Sequence, residues 1–264
     1  MTLVECRVPE LRATVRGLAL GFDHVMAPGA PPFVVDRDAA GDLVLTRGGA
    51  RLHAGPDPGR LLANLEVALD AEAPRLLAGR CAFHAAAAAG PEGAVLVAGA
   101  SWAGKSTLAT ALVARGLAYL TDDTALVDDE GRVLPFPRRI GLRPGTLALV
   151  EAPPDRFERV GYDLDDHPPI EYLVPLATAD APTPVRVLAF LERAGAALAC
   201  RDLSAAEATA RLVAHALQRD DPARDLRRAS RVVAGAPARL LVTGGGPGEL
   251  ARALLARLAG TMAP

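Results

Sequence analysis

The chain has 264 residues, half of them apolar, and a formal net charge of −2 at pH 7. Length and apolar share suit one large domain or a domain with a small appendage, and the 4% aromatic content leaves Ala, Leu and Val to build the core. The near-neutral charge argues against broad attraction to nucleic acid or an anionic membrane, and no run of about 18 apolar residues is present to span one. Cys6, Cys81 and Cys200 are widely spaced, match no zinc or redox pattern, and read as small buried hydrophobes in a reducing compartment. Glu5, Glu10 and several arginines stand where a signal peptide needs an apolar stretch, so a cytoplasmic location is expected.

Residues 1–56 carry short apolar stretches (Leu18-Ala-Leu, Phe33-Val-Val, Leu43-Val-Leu) broken by Gly, Pro and Asp, which predicts a small β-rich lobe with a loop over 26–32. Asp57-Pro58 supplies an N-cap and a first-turn proline for a helix through Leu61, Leu62, Leu65 and Leu69. Pro74 is expected to end or bend that helix before a second short helical piece, giving a lobe over 1–75 and a main domain over 76–264. The alanine run 82–89 and the turn Gly90-Pro-Glu-Gly93 predict a strand hairpinned onto 94–98. A helix over 108–114 stopped by Gly116, a strand over 117–120 and another over 125–127 follow. Residues 137–184 lack periodicity and predict short helices and long loops over an active face. The tail then predicts a strand over 185–191, a helix from the capping box Ser204-Ala-Ala-Glu207 to about Gln218 and a helix from Asp221-Pro222 to about 234. A strand over 239–243 and a helix from Gly248 complete it.

The chemistry is concentrated at Gly99-Ala-Ser-Trp-Ala-Gly104-Lys105-Ser106-Thr107, a G-x-x-x-x-G-K-[ST] pattern with a strand before it and a helix after it. Glycines let such a loop curl around a polyphosphate, and the helix N-terminus aims unpaired N–H groups at it. Of the 29 lysines and arginines, Lys105 is the single lysine, a compact point charge suited to the β- and γ-phosphates. The Ser106 hydroxyl would sit on magnesium; Gly99, Ser101, Ala103, Gly104 and Thr107 complete the loop, and Trp102 within it either packs under the loop or faces the nucleotide.

Asp122 and Asp123 close the strand over 117–120, where an acidic residue binds magnesium in P-loop proteins. Two adjacent carboxylates allow one to hold the metal while the other takes a proton from an attacking hydroxyl, and the sequence leaves open which does which. His84, on the strand beside the loop, is a catalytic candidate against the plainer reading of a structural histidine. Arg138, with Arg139 and Arg143 nearby, is a candidate for stabilising charge on a transferring phosphoryl group, the even alternative being a solvated pair. Thr243-Gly-Gly-Gly-Pro-Gly248 reads as a strand-to-helix turn rather than a dinucleotide fingerprint, because Glu249 stands where the third glycine belongs. A guanine-reading N-K-x-D is excluded for want of a second lysine, and Gln218 lies too far downstream to orient water at this loop.

His84, Gly99-x-x-x-x-Gly104-Lys105-Ser106 and Leu120-Thr-Asp122-Asp123 together resemble the kinase domain of the HPr serine kinase family. The likeness covers 80–145 well and 185–260 in outline. It implies an α/β fold with a P-loop kinase core of the HPr kinase/phosphoenolpyruvate carboxykinase type, ATP and Mg2+ as cofactors, and Asp122 and Asp123 as base and metal partner. Thr107 departs from the glutamate common after the loop serine, and the C-terminal signature tied to phosphorylase activity is not visible. The chain is therefore more similar to stand-alone HPr-kinase-like enzymes encoded with lasso-type peptides, some of which phosphorylate a serine near the precursor's C-terminus. The resemblance implies a serine kinase acting on a peptide or small protein, with homo-oligomers common in the family. A small-molecule kinase on the same fold and a non-catalytic ATP-binding regulator are the rival expectations.

Overall fold

A computed structural model of the chain describes residues 3–22, 31–76, 81–143, 145–160, 171–193, 195–217 and 221–260. Three sheets and the helices packed on them make it a mixed α/β structure. The first sheet runs in the order β1 (Val4–Cys6), β2 (Phe33–Arg37), β3 (Leu43–Arg47), β4 (Ala50–Gly55), with β1 parallel to β2 and the rest antiparallel. Leu18-Ala-Leu20, expected as strand, instead belongs to or caps α1 (Arg12–Ala19). Leu11, Val15, Leu18, Ala19 and Phe22 are buried at helical spacing, and that longer-range period outweighs the three-residue apolar run. Part of the loop expected over 26–32 lies outside the described residues.

Asp57 caps α2 (Pro58–Leu76), its Oδ1 accepting from the Gly59 and Arg60 amides at 2.8 and 3.3 Å. The helix runs through Pro74 to Leu76, correcting the expected end there: the proline lacks the N–H for one rung of the ladder, and only two residues of helix follow it. Leu61, Leu62, Leu65 and Leu69 pack over Phe33, Val35, Leu43 and Leu45, and the same core takes in Ala82, Leu126 and Phe136 from later in the chain. The boundary expected between residues 75 and 76 falls within the last turn of α2; residues 77–80 lie outside the described residues.

The main sheet draws on β5 (Cys81–Phe83), β6 (Ala85–Gly90), β7 (Gly93–Gly99), β8 (Ala118–Thr121), β9 (Ala125–Val127) and β10 (Arg132–Val133), with α3 (Lys105–Ala114) between β7 and β8. A small antiparallel sheet, β11 (Ile140–Leu142), β12 (Phe157–Val160) and β13 (Glu171–Pro175), occupies the region expected to be helices and loops, ordered β11-β13-β12 with one 3-10 turn at Leu147–Leu149. Its strands are three to five residues long, too short for their alternation to stand out among Pro, Asp and Arg; residues 161–170 lie outside the described set. The main sheet is completed by β14 (Thr183–Glu192), β15 (Ala199–Asp202) and β16 (Ala238–Thr243), with α4 (Ala205–Ala214), α5 (Pro222–Gly235) and α6 (Pro247–Gly260) around it. The edge strand β15 went unpredicted because its four residues are all exposed and carry no buried face. It leaves Cys200 exposed, correcting the expected burial, while Cys6 is half-buried and Cys81 buried. The capping box at Ser204 opens α4 as expected, but the helix stops at Ala214; Gln218 lies outside the described residues.

Residues of one strand alternate between two cores, as the two-residue period requires. Ala85, Ala87, Leu96, Ala98, Leu188 and Phe190 face α4 and α5, while Ala88, Val95, Val97, Val187 and Ala189 face α3, α6 and the small sheet. The helix after the glycine loop, α3, is buried on nearly every side, which explains its almost uniformly apolar sequence. Among the described residues no helix is long and apolar enough to cross a membrane.

Candidate active site

One end of the main sheet gathers the candidate residues, and strand register is the reason. β6 runs antiparallel to both β7 and β8, with Ala85 opposite Ala98 and Ala87 opposite Thr121. The start of β6 therefore meets the ends of β7 and β8, bringing together His84, the Gly99–Ser106 loop and Asp122-Asp123. His84 sits where the chain leaves β9 as partner of β5 and takes up β7 and β8 as partners of β6; its N–H donates to the His215 carbonyl at 2.7 Å.

Two glycines of the loop have separate physical reasons. A Cβ on Gly99 would lie 3.0 Å from the Leu191 carbonyl oxygen and 3.1 Å from the Ala103 Cβ, so a larger residue would press the loop away from β14. Gly104 caps α3 with a φ of +104°, a conformation that side chains rarely adopt. Just past the cap, the Lys105 side chain is only 4% exposed, and its Nζ donates to the Gly99 and Ala100 carbonyls at 3.2 Å each. That Nζ lies 3.9 Å from Asp123 Oδ1, and His84 Nε2 lies 3.4 Å from the same oxygen. Burial lowers the pKa of Lys105 against the pull of Asp123 and Asp122, and burial followed by the Lys105 charge lowers that of His84. Both effects favour the neutral imidazole, against the opposing pull of Asp123.

The two aspartates occupy different surroundings. Asp123 has a side chain 65% exposed, with its backbone at a φ of +61°. Asp122 is 5% exposed, and burial with the neighbouring Asp123 charge pushes its carboxyl up to about 7, offset in part by the Ser106 hydroxyl beside it. Its Oδ1 is buried with no hydrogen-bond partner among the described residues. A buried carboxylate oxygen of that kind, next to a serine hydroxyl at a helix N-terminus, fits a magnesium ion. No group of three or more His, Cys, Asp and Glu side chains that could hold a metal occurs among the described residues.

These residues surround a cleft of about 310 Å3 lined by His84, Ser101, Trp102, Gly104 to Thr107 and Asp123. Arg143 and Arg193 line its far side. Trp102, 62% exposed with a φ of +70°, does not pack under the loop; it lines the cleft, with the Arg143 guanidinium carbon 3.1 Å from its ring centroid. Arg138, the expected charge stabiliser, does not line the cleft; its guanidinium lies over the Phe22 ring, 5.5 Å from the centroid. Arg139 is committed to Glu66 at 2.7 Å and to the Tyr172 ring. The segment entering β11 turns Arg138 toward Phe22 and Arg139 toward Glu66 and Tyr172, and Arg143, directly after that strand, is the one that lines the cleft. Sequence reasoning did not pick out Arg193 or His215. Arg193 follows the end of β14 directly, a signal the parallel pairing of β14 with β7 makes useful. His215 caps α4, with its ring 6.4 Å from that of His84, and nothing local marks it.

The glycine turn at Thr243–Gly248 joins β16 to α6 as expected. A Cβ on Gly244 would clash with the Ala197 carbonyl oxygen, so this glycine serves close backbone packing. The chain matches no protein-family model and no curated protein.

Proposed function

We propose that the chain is an ATP-dependent kinase that transfers the γ-phosphate to a serine or threonine hydroxyl of a peptide or small protein. The observation carrying this reading is the division between the aspartates: a buried Asp122 beside Ser106, and an exposed Asp123 within reach of both Lys105 and His84. A binding module has no need of the second carboxylate. Lys105 and the amides opening α3 would hold the β- and γ-phosphates, and Ser106 with Asp122 would hold magnesium. Magnesium, when bound, neutralises phosphate charge.

Asp123, on the solvent side, accepts the proton of the acceptor hydroxyl, and His84 orients its carboxylate. The hydroxyl oxygen bonds to the γ-phosphorus while the bond from that phosphorus to the bridging oxygen breaks, and ADP departs with the electron pair. Arg143 and Arg193 stand where they can offset charge on the transferring group. The exposure of Asp123 and Trp102 favours an acceptor presented on a chain over a small molecule that must be enclosed. A P-loop core of the HPr kinase/phosphoenolpyruvate carboxykinase type belongs to the same proposal. Its support is the resemblance at residues 84, 99–107 and 122–123, which also points to a serine near the C-terminus of a lasso-type precursor as acceptor.

The test is transfer of label from γ-labelled ATP to serine-ending precursor peptides, an HPr-like protein and free serine, run side by side. Label is expected on a peptide or protein and lost in Lys105→Ala. Label on free serine alone would replace the acceptor class, and bound nucleotide with no transfer to any acceptor would overturn the kinase.

A further inference from the structure

A second cavity, of about 690 Å3, adjoins the phosphate cleft and shares Gly104, Thr107, Thr146 and Arg193 with it. It opens beyond the carboxyl ends of the parallel strands β14 and β16, the crevice where open α/β sheets take ligands. Its volume is that of a small-molecule site. Only the smaller cleft contains His84 and Asp123, so an acceptor hydroxyl must approach from that side. A nucleotide whose phosphates lie at the start of α3 then has its nucleoside end in the larger cavity. This step rests on the phosphate reading given above.

Among the described residues, the side chains that wall this cavity are poor in groups able to read a base edge. Leu149, Leu191, Val242 and Leu250 supply apolar surface. The Gly245 N–H, on the glycine turn, is already committed to the Ala196 carbonyl at 3.1 Å. Among the polar side chains, Thr107, Thr146 and Arg193 stand at the border with the phosphate cleft, and Glu192 is paired with Arg211. We propose that this cavity takes the nucleoside half of the nucleotide and grips it by apolar shape rather than by base hydrogen bonds, so that adenine and guanine nucleotides bind alike. The glycine turn is then the cavity's wall rather than a second anion site.

The single tryptophan, Trp102, lies in the cleft and supplies a fluorescence signal, with calorimetry as a second readout. Wild type, Leu149→Ser and Lys105→Ala are titrated with ADP, GDP and tripolyphosphate, each with magnesium. Leu149 is 64% exposed, so its neutral replacement does not unfold the chain, and a circular dichroism melt checks this. ADP and GDP are expected to bind within about 3-fold of each other, and both to weaken by about 10-fold in Leu149→Ser while tripolyphosphate is unchanged. ADP binding more than about 10-fold tighter than GDP, a preference between two purines that apolar shape does not supply, would overturn recognition by shape. ADP binding indifferent to Leu149→Ser would place the nucleoside elsewhere. Tripolyphosphate binding indifferent to Lys105→Ala, or none at all, would instead overturn the phosphate reading itself.

Discussion

Asp123 and Trp102 are the two non-glycine residues with positive φ among the described residues, at +61° and +70°, and both line the cleft. Such a backbone costs about 1–2 kcal/mol and persists only where its surroundings over-determine it. At Asp123 the surroundings are a closed turn: the Thr124 N–H donates to the Asp122 carbonyl at 2.8 Å, and the Thr121 hydroxyl donates to the Thr124 carbonyl at 2.6 Å. Asparagine tolerates this region as well as aspartate does, so Asp123→Asn is expected to keep Tm within about 3 °C. Phosphoryl transfer is expected to fall by about 10²–10⁴-fold, the usual contribution of a positioned base. A melt and a label-transfer assay on one preparation decide the matter; a large drop in Tm would make the residue structural. Cys81 gives a pH test of burial. Desolvation and the Asp225 carboxylate, 3.5 Å from its sulfur, push the thiol from 9.0 up to about 12. The folded chain then keeps a proton that the unfolded chain releases, so this contribution to stability is present below pH 9 and is lost as pH rises from 9 toward 12. At pH 8 a thiol reagent should label exposed Cys200 at once and Cys81 only after denaturation. Prompt labelling of Cys81 in the folded chain would contradict its burial.

The elements differ in how openly the sequence announced them. The capping box of α4 is local and complete: the Ser204 hydroxyl accepts from the Glu207 amide at 3.2 Å, and the Glu207 carboxylate accepts from the Ser204 amide at 2.9 Å. Ser204→Ala is expected to cost about 1 kcal/mol, which lowers Tm by about 2–4 °C in a chain of this size. A melt of the variant showing no change would mean that α4 is held by packing alone. That helix matters to the site because its C-cap, His215, offers the carbonyl that holds the His84 amide at the β5–β6 junction. The small sheet β11-β13-β12 was illegible for the opposite reason. Leu173 of β13 pairs with Ile140 on one side and Arg159 on the other, contacts between strands far apart in sequence that no local pattern encodes.

At the scale of the whole molecule, the segment around 137–143 couples the N-terminal layer to the cleft. The Arg139 amide donates to the Gly17 carbonyl at 3.0 Å, and its guanidinium, buried under the Tyr172 ring, bonds Glu66 of α2. Four residues later, Arg143 covers Trp102. Glu66→Ala removes the carboxylate partner of a buried guanidinium. Because Glu66 keeps partial access to solvent, the expected loss is about 2 kcal/mol, below that of a fully buried pair. Chemical denaturation of wild type and variant measures it, and an unchanged midpoint would show that the ion pair contributes nothing to the join.

The sequence by itself determined the strand–loop–helix around Lys105, the strand ending in Asp122-Asp123 and the alanine hairpin, because each is specified by neighbours a few residues apart. It also singled out His84, Lys105, Ser106 and both aspartates, which the register of β6 against β7 and β8 brings to one end of the sheet. Only the tertiary structure decided that Asp122 is buried and Asp123 exposed, that Arg143 and Arg193 rather than Arg138 face the loop, and that His215 stands behind His84. Burial and convergence depend on which strands become neighbours. That is a property of the assembled sheet, which no short stretch of chain carries by itself.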